Sequence, residues 1–385
     1  MTEVHPVLRA GRYVRQPSGV RAFIPEPLPP DPPLNIDAAL QAALSKADRA
    51  LGRLDGSIQT LPDPDLFVLM YVRKEAVLSS QIEGTQSSLD NVLAAEAAVL
   101  DPSLSKDAAE VLNYVSAMHW GLQRLDSLPV SVRLIKEIHA ELMLGVRGAE
   151  KNPGEIRTSQ NWIGPGGARL SEATFVPPPH QEVTHHLGEW ERFIHADDDL
   201  PALVKIGLAH AQFETIHPFL DGNGRVGRLL ITFLLCEQRI LQKPVLYLSH
   251  YFKQHRTEYY DRLQATRDEG DWEGWLLFFL TGVAQVAEEA TETARRIVAL
   301  RETHRELILR ELGRAAGNGL TVLESLYSHP IVSVSAVQKR LGMSHQAANN
   351  LVGRLEALGL LREITGQHRH RRFSYEPYIR IFSEE

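Results

Sequence analysis

The densest group of chemically capable residues is the segment 217–228, which reads HPFLDGNGRVGR. Gly222 and Gly224 permit backbone conformations that aim consecutive N–H groups at one point. The apolar run that follows, 226–235, has helical spacing, so the loop ends at the N-terminus of a helix. Backbone donors and the positive end of a helix dipole together favour a bound anion.

Four side chains of the same segment suit a polyphosphate. Arg225 and Arg228 are three residues apart and share a helix face, and two guanidinium groups fit a polyphosphate better than a single carboxylate. Asp221 offers the hard oxygen ligand that Mg²⁺ needs when phosphates supply others. His217 can take up a proton near neutral pH. A base, a metal ligand, an anion site and two arginines fit phosphoryl or nucleotidyl transfer.

Each part of this segment also has a plainer interpretation. A histidine before a proline is usually structural, and G-N-G alone is a common turn. D-x-N-G resembles the start of a calcium loop, but no acidic residue follows at the closing position, where Arg225 and Arg228 come instead. A turn without function leaves the combination of groups within one short segment unexplained.

A second segment of interest, 75–84, reads EAVLSSQIEG and has a helical pattern. Gly84 is a candidate for the position just after the helix. Ser79 and Ser80 lie four and three residues before Glu83, so the three side chains share a face. Composition alone favours a solvent-facing glutamate near a helix end.

Segment 217–228 resembles the signature of the Fic family, H-x-F-x-[D/E]-G-N-G-R-x-x-R, and every defined position is filled. The resemblance implies a mainly helical domain that binds ATP and Mg²⁺. It also implies transfer of AMP to a Ser, Thr or Tyr hydroxyl of a target protein or of the enzyme itself. A kinase-like branch has lysine where Gly224 stands, so the glycine favours AMP transfer.

The resemblance implies a role for each position of the motif. His217 would deprotonate the target hydroxyl, and Asp221 would hold Mg²⁺. Residues 222–224 would cradle the phosphates, with the asparagine orienting the α-phosphate. Arg225 would stabilise charge at the reacting phosphates, and Arg228 would grip the γ-phosphate. The implied ATP contacts are Ser80, Glu83, His217, Gly222, Asn223, Gly224, Arg225, Val226, Gly227, Arg228 and Tyr259.

Many Fic proteins carry an inhibitory helix of pattern [S/T]-x-x-x-E-[G/N], which Ser79, Glu83 and Gly84 match. The implied mechanism is a bidentate salt bridge from Glu83 to Arg228, which occupies the arginine that the γ-phosphate needs. ATP would then bind in an unproductive pose. In some relatives the same glutamate supports removal of AMP, so a bifunctional enzyme stays open as an alternative.

Two further regions resemble parts of the Fic site. Segments 157–164 and 173–179 resemble the flap, which pairs with the target peptide by strand addition and presents its hydroxyl to His217. Tyr259 matches the tyrosine that lines the adenine. Arg267 stands where the family has an asparagine, which leaves that base contact in doubt.

Helical patterns supply the elements that must position these residues, and the expected fold class is mainly α. Asp37 can cap a helix over 38–51, and further patterns cover 65–83, 106–124, 131–144, 181–195, 202–214, 223–240, 255–268 and 272–314. A β-hairpin or flap is predicted within 152–179. The prolines of 25–33 predict an extended arm, free of helix and sheet, packed on the domain that follows.

The C-terminal order resembles a winged helix-turn-helix. It comprises a helix over 333–341, a turn, a helix over 345–358, and strands at 360–364 and 373–375 around a basic tip. The tip, 367–372, reads QHRHRR and could contact DNA phosphates. Arg354 is the only arginine or lysine of the second helix, so protein contact is equally open. A DNA-binding regulator whose Fic domain only senses nucleotide is therefore the second functional hypothesis.

Composition limits the remaining classes. The chain has 385 residues and a net charge of −7, which argues against a whole-chain nucleic-acid binder. We expect an N-terminal arm and helical region with the inhibitory motif over 1–105, a catalytic core over 106–284, and a linker helix with the winged helix over 285–385. One cysteine excludes a disulfide within the chain. No apolar run predicts a signal peptide or a membrane span, so a cytoplasmic protein is expected.

Overall fold

Helices dominate the structure, a computed structural model that describes residues 9–17, 19–59, 61, 64–96, 106–164 and 169–383, apart from the side chains of Leu66, Lys106 and Ser383. The helices are α1 Ala38–Gln59, α2 Pro64–Ile82, α3 Leu89–Glu96, α4 Lys106–Arg124, α5 Val132–Leu142, α6 His180–Ile194, α7 Ala202–Ile216, α8 Asn223–Glu237, α9 Ser249–Gln254, α10 Arg256–Glu269, α11 Trp272–Glu311, α12 Ala316–Ser328, α13 Val334–Leu341, α14 His345–Ala357 and α15 Glu376–Ser383. The strands are β1 Gly11–Arg15, β2 Arg21–Pro25, β3 Ile331–Ser333, β4 Arg362–Glu363 and β5 Arg372–Ser374. The predicted mainly α fold class is confirmed.

Helices α7 and α8 form the centre of the core. From Leu203 onward every residue of α7 is buried, and α8 is buried over most of its length. A helix that is buried all round must lie inside the domain rather than on its surface. The loop 217–222 joins these two helices, so both of its ends are fixed by packing.

Helix α1 lies along α11, which is 40 residues long. The Asp37 side chain caps α1 as predicted, since Leu40 N donates to Asp37 Oδ1 at 2.9 Å. The buried stripe of α1 includes Leu40, Leu51 and Leu54. The boundary proposed at 284/285 falls inside α11, so one continuous helix links the core to the C-terminal unit.

An N-terminal hairpin of β1 and β2 precedes the proline arm and was not predicted. Pro25 is the last residue of β2 and pairs with Gly11, so the prediction that this segment excludes sheet is wrong there. A proline is tolerated at a strand end, where no further ladder donor is needed. The arm itself packs on the core: Gln212 Nε2 donates to Glu26 O at 2.8 Å.

The C-terminal unit has the predicted order of elements. Helices α13 and α14 carry serine caps, because Ala336 N donates to Ser333 Oγ and Ala347 N donates to Ser344 Oγ. The antiparallel sheet has the order β3-β5-β4. Helix α15, which was not predicted, returns to the core and places the Phe382 ring 5.5 Å from the ring of Tyr71 on α2.

Candidate active site

The loop between α7 and α8 begins with a sharp turn at His217, which has left-handed backbone angles of φ 49° and ψ 62°. Such a conformation is uncommon for a residue with a side chain. Two donors hold it in place, since Arg157 Nε and Asn161 Nδ2 reach the His217 carbonyl at 2.9 and 3.3 Å. The turn directs the chain away from the α7 axis and into the loop.

Arg157 links this turn to the flap through hydrogen bonds. Its guanidinium is buried and donates to the carbonyls of His217, Ser159, Pro178 and Ile216. Burial lowers the pKa of Arg157 to about 10, so the group stays charged at neutral pH. The segment assigned to the flap therefore also fixes the position of His217.

The His217 side chain is neutral near physiological pH. Burial lowers the pKa of His217 to about 4, and the charges of Arg157 and Arg267 add to that effect. Among the described residues, no hydrogen-bond partner reaches its buried Nδ1. An unprotonated imidazole that lines a cavity can accept a proton.

His139 and Asn223 brace the rest of the loop. The Asn223 side chain bonds both backbone groups of Phe219, each at 2.8 Å. His139 accepts from Gly154 N and donates from Nε2 to Asp221 O at 3.0 Å, and its ring stacks on Phe219. The Asn223 amide is therefore committed to the loop, contrary to the expectation that it orients the α-phosphate.

The first residues of α8 line the cavity together with the residue that precedes the helix. Gly222 precedes it with φ 77°, which favours glycine. The first bond that closes the helix runs from Val226 N to Gly222 O at 3.0 Å. The earlier N–H groups of α8 lack a partner within the helix and are left for a ligand.

Asp221 lines the cavity and forms a salt bridge with Lys151. Lys151 Nζ is 2.9 Å from Oδ2, and Gly222 N donates to Oδ1 at 2.7 Å. Burial would raise the pKa of Asp221, but the bond and charge of Lys151 hold it below its usual value. One carboxylate beside an anion site fits Mg²⁺, which prefers few protein ligands and phosphate oxygens.

Arg228 and Glu83 form the predicted contact between the two motifs. Arg228 Nη2 lies 2.7 Å from Glu83 Oε1, and Arg228 Nε donates to Ser79 Oγ at 2.8 Å. The salt bridge is not bidentate as predicted, because Ser79 takes the donor that a second carboxylate oxygen would need. Ser79 O accepts a further bond from Nη2 at 3.0 Å.

The charges of this pair stabilise each other. Burial would raise the pKa of Glu83, but Arg228 holds it below its usual value. Burial would lower the pKa of Arg228, but Glu83 raises it above its usual value. Gly224 permits this approach, because a Cβ at that position would overlap Glu83 Oε1.

The Arg225 side chain faces α4. Its side chain is 2% exposed and lies between Glu110, at 3.5 Å from Nη1, and Met143, at 3.4 Å from Nη2. The Asp221 carboxylate is 3.8 Å away. Arg225 does not line the cavity, because α4 supplies a buried carboxylate beside it, so its expected contact with the reacting phosphates stays a prediction.

Tyr259 forms one wall of the cavity. Its hydroxyl donates to His210 Nε2 at 2.9 Å, and His210 Nδ1 donates to Gly227 O at 3.0 Å. Burial lowers the pKa of His210 to about 3, so the imidazole is neutral and can accept from the tyrosine. With its hydroxyl engaged, Tyr259 offers its ring to a ligand.

These side chains enclose a cavity of about 450 Å³. Its lining comprises Glu83, Lys151, Trp162, Ile163, Gly164, Glu214, His217, Leu220, Asp221, Gly222, Asn223, Gly224, Arg228, Tyr259 and Tyr260. Four of the implied ATP contacts, Ser80, Arg225, Val226 and Gly227, are absent from this lining. The other seven lie together on it, so His217, the start of α8 and Glu83 face one space.

The flap consists of one antiparallel bridge. Ile163 N donates to Phe175 O at 2.9 Å, and Phe175 N donates to Ile163 O at 3.1 Å. Residues 165–168 of the predicted flap lie outside the described residues. Phe23 of β2 supports the flap by donating its N–H to Val176 O.

Comparison with known families agrees with this geometry. Residues 41–123 match the family described as Fic/DOC family N-terminal, and residues 129–235 match the Fic/DOC family. The chain carries the paired domains of the Fic/DOC family. Residues 320–373 match an HTH DNA binding domain, which agrees with the winged helix.

Individual relatives match up to about half of the chain. A protein adenylyltransferase Fic of Aedes aegypti is 33% identical over 144 residues, 37% of this chain and 25% of that protein. Its counterpart in Drosophila yakuba is 30% identical over 192 residues, 49% of this chain and 34% of that protein. The chain thus spans between a quarter and about a third of these relatives' lengths.

One solved structure shares the fold over most of the chain. A Fic family protein from Desulfovibrio desulfuricans G20 has a TM-score of 0.60 and 20% identity, and the match covers 89% of this chain and 97% of that one. Among the described helices, none combines the length and apolarity needed to cross a membrane.

Arg267, which departs from the Fic pattern, lies behind the cavity wall. Its guanidinium donates to Thr215 Oγ1 and Glu214 O, and it stacks 3.9 Å from the Phe175 ring centroid. It therefore ties the end of α7 to the flap. Base contact at this position is replaced by a structural link.

The sequence offered no motif for several site residues. Lys151, Glu214 and Leu220 line the cavity without any predicted role. The role of His139 could not be predicted from the sequence either, since a histidine on an amphipathic helix resembles an ordinary core residue. Only their three-dimensional neighbours identify them.

Proposed function

We propose that this protein transfers AMP from ATP to a hydroxyl group of a protein, and that Glu83 restrains the reaction. The observation that carries the proposal is the convergence of His217, the α8 N-terminus and Arg228 on one cavity. Fic adenylyltransferases at about 30% identity support the same chemistry. The flap segments 157–164 and 173–179 would pair with the target peptide by strand addition, through backbone groups other than those of Ile163 and Phe175, which bond each other.

The proposed step begins with the target hydroxyl beside His217. The hydroxyl oxygen forms a bond to the α-phosphorus while its proton passes to the imidazole. The bond from the α-phosphorus to the bridging oxygen breaks, and pyrophosphate leaves. Asp221 would hold Mg²⁺, which supplies positive charge to the leaving phosphates when bound. The Arg228 guanidinium would hold the γ-phosphate once Glu83 releases it.

Incubation with ATP labelled in the α-phosphate tests the proposal. We expect Glu83→Gly to incorporate more label into itself or a target than the unsubstituted chain, since the substitution frees Arg228. Adding His217→Ala to Glu83→Gly should abolish the gain. Label incorporation that survives His217→Ala would contradict the proposed base, and absence of label in every variant would contradict AMP transfer.

The C-terminal unit favours a second function, contact with DNA. The match to an HTH DNA binding domain carries this proposal, and the tip residues 367–370 are exposed. Arg371 donates to Asn349 Oδ1 at 2.8 Å, so the tip lies against α14. Arg354, however, donates to Glu311 O at the end of α11 and supports the domain instead.

An electrophoretic shift with duplex DNA tests the second function. A triple alanine substitution of Arg369, Arg371 and Arg372 should remove the shift, because phosphate contacts dominate such binding. Arg380→Ala on α15 is a matched control that should leave the shift unchanged. A shift that survives the triple substitution would contradict contact through the tip.

A further inference from the structure

Glu214 is a second carboxyl group on the cavity, and no motif assigns it a role. It lies on α7 one turn before His217 and lines the cavity with Tyr259 and Tyr260. The residue is 6% exposed. Arg267 Nη2 donates to its backbone oxygen at 3.3 Å, so the backbone at Glu214 is held in place.

Among the described residues, no hydrogen-bond partner reaches the buried Oε1 of Glu214. Gly227 makes room for this side chain, because a Cβ there would overlap Oε1. Buried polar groups nearly always find a partner, since leaving one unpaired is costly. Because Glu214 lines the cavity, a bound ligand can supply a partner for its carboxyl group.

The environment keeps this carboxyl partly neutral. Burial raises the pKa of Glu214 to about 7, although the charge of Arg228 opposes the rise. Glu83, on the same cavity, has its pKa lowered by the same arginine. A neutral carboxyl can both donate and accept a hydrogen bond and does not repel a polyphosphate.

The position of Glu214 indicates which half of a nucleotide it meets. The phosphates are drawn to the start of α8 and to Arg228, where positive charge is concentrated. Glu214 lies against Gly227, further along α8, and lines the cavity together with Tyr259. An aromatic ring and a carboxyl group suit the sugar and base better than the phosphates.

We infer that Glu214 is a nucleotide-binding residue whose carboxyl group hydrogen-bonds a hydroxyl or amino donor of the nucleoside half of ATP. The inference rests on the proposed function, because it requires ATP in this cavity. A hydroxyl of the ribose and the amino group of adenine offer the same donor chemistry. Analogues that lack one donor at a time distinguish the two sources.

Calorimetric titration measures this contact without turnover. The ligands are ATP, 2′-deoxy-ATP, 3′-deoxy-ATP and purine riboside triphosphate, at fixed Mg²⁺ and salt, each in the unsubstituted and Glu83→Gly chains. We expect Glu214→Met to weaken ATP binding about five- to thirty-fold, as loss of one hydrogen bond does. Glu214→Gln keeps a neutral donor and acceptor and should stay within about threefold.

The analogues give the decisive readout. The penalty of Glu214→Met should vanish for the one analogue that lacks the bonded donor and persist for the others. The ligand-free Glu214→Met protein should also melt a few degrees higher, because an unpaired buried carboxyl has been removed. Equal losses for all four nucleotides, or no loss for ATP, would overturn the inference.

A control variant separates a ligand contact from general damage. Glu237 accepts a bond from Val130 N at 2.7 Å and lies outside the cavity. Glu237→Met should lower the melting temperature and leave all four affinities unchanged. If ATP binds and the analogues discriminate but no AMP is incorporated, the proposed function fails and the Glu214 contact stands. If ATP does not bind in either background, both are overturned.

Discussion

Arg225 and Arg228 lie three residues apart on α8, and both side chains are 2% exposed, yet they meet different partners. Arg228 faces the cavity and holds Glu83, while Arg225 faces α4 and approaches Glu110. The spacing of three residues predicted that both side chains lie on one face of α8, so it did not predict their different partners. The partners differ because the turn at the end of α2 supplies Glu83 to Arg228, whereas α4 supplies Glu110 to Arg225.

The difference shows how one motif serves two purposes. Arg228 has a carboxylate partner that is about a third exposed toward the cavity, so a phosphate can compete for the arginine. Arg225 has a partner that is 3% exposed, so that contact is enclosed by protein. One arginine is available for ligand exchange, and the other fixes α8 against α4.

Removing Arg228 should have the largest effect and sharpen the comparison. In a Glu83→Gly background we expect Arg228→Ala to weaken ATP binding about ten- to hundred-fold, as loss of a charge-assisted contact does. ADP lacks the γ-phosphate, so its affinity should change far less. Titration calorimetry with both nucleotides checks this, and equal losses for ATP and ADP would break the assignment.

Removing Arg225 should affect stability instead. We expect Arg225→Met to lower the free energy of unfolding by about 1–3 kcal/mol, because Glu110 loses a buried charged partner and keeps Thr85 Oγ1 and the more exposed Arg147, each at 3.4 Å. Chemical denaturation measures the loss, and adding Glu110→Gln should recover part of it. A selective loss of ATP affinity, with stability unchanged, would show that Arg225 contacts the nucleotide after all.

The smallest effect is expected at Ser79, which supports the Arg228 contact. Ser79→Ala removes the hydroxyl that accepts from Arg228 Nε but keeps the Glu83 bridge. Basal AMP incorporation should rise only about two- to five-fold, in line with one lost hydrogen bond. Ser80→Ala is the matched control, since the Ser80 hydroxyl is buried without a partner. An equal rise in both variants would contradict a specific role for Ser79.

Much of the fold could be predicted because local signals agreed with it. The Asp37 cap, the apolar period of α1 and the serine caps of the winged helix all lie within their own elements. The short helix α9 and the β1–β2 hairpin could not be predicted in this way. Their segments lack a clear period, and contacts with other elements stabilise them instead, as Phe23 does at the flap.

The residues of the site also differ in whether the sequence could predict them. The motif 217–228 and the glutamate at 83 could be predicted because their residue types and spacing are specific. The contacts of Lys151 and His139 come from segments that are distant in sequence from the motif, and no spacing indicates them. Glu214 is close to the motif in sequence, but only the structure shows that its side chain lines the cavity.

AMP transfer by a chain restrained through Glu83 is the central claim, and one labelling experiment tests it most directly. Glu83→Gly protein is incubated in parallel with ATP labelled in the α-phosphate and with ATP labelled in the γ-phosphate. The account predicts protein-bound label from the α-labelled nucleotide alone, and less of it in the unsubstituted chain. Label from the γ-phosphate would show phosphoryl transfer instead and would contradict the account.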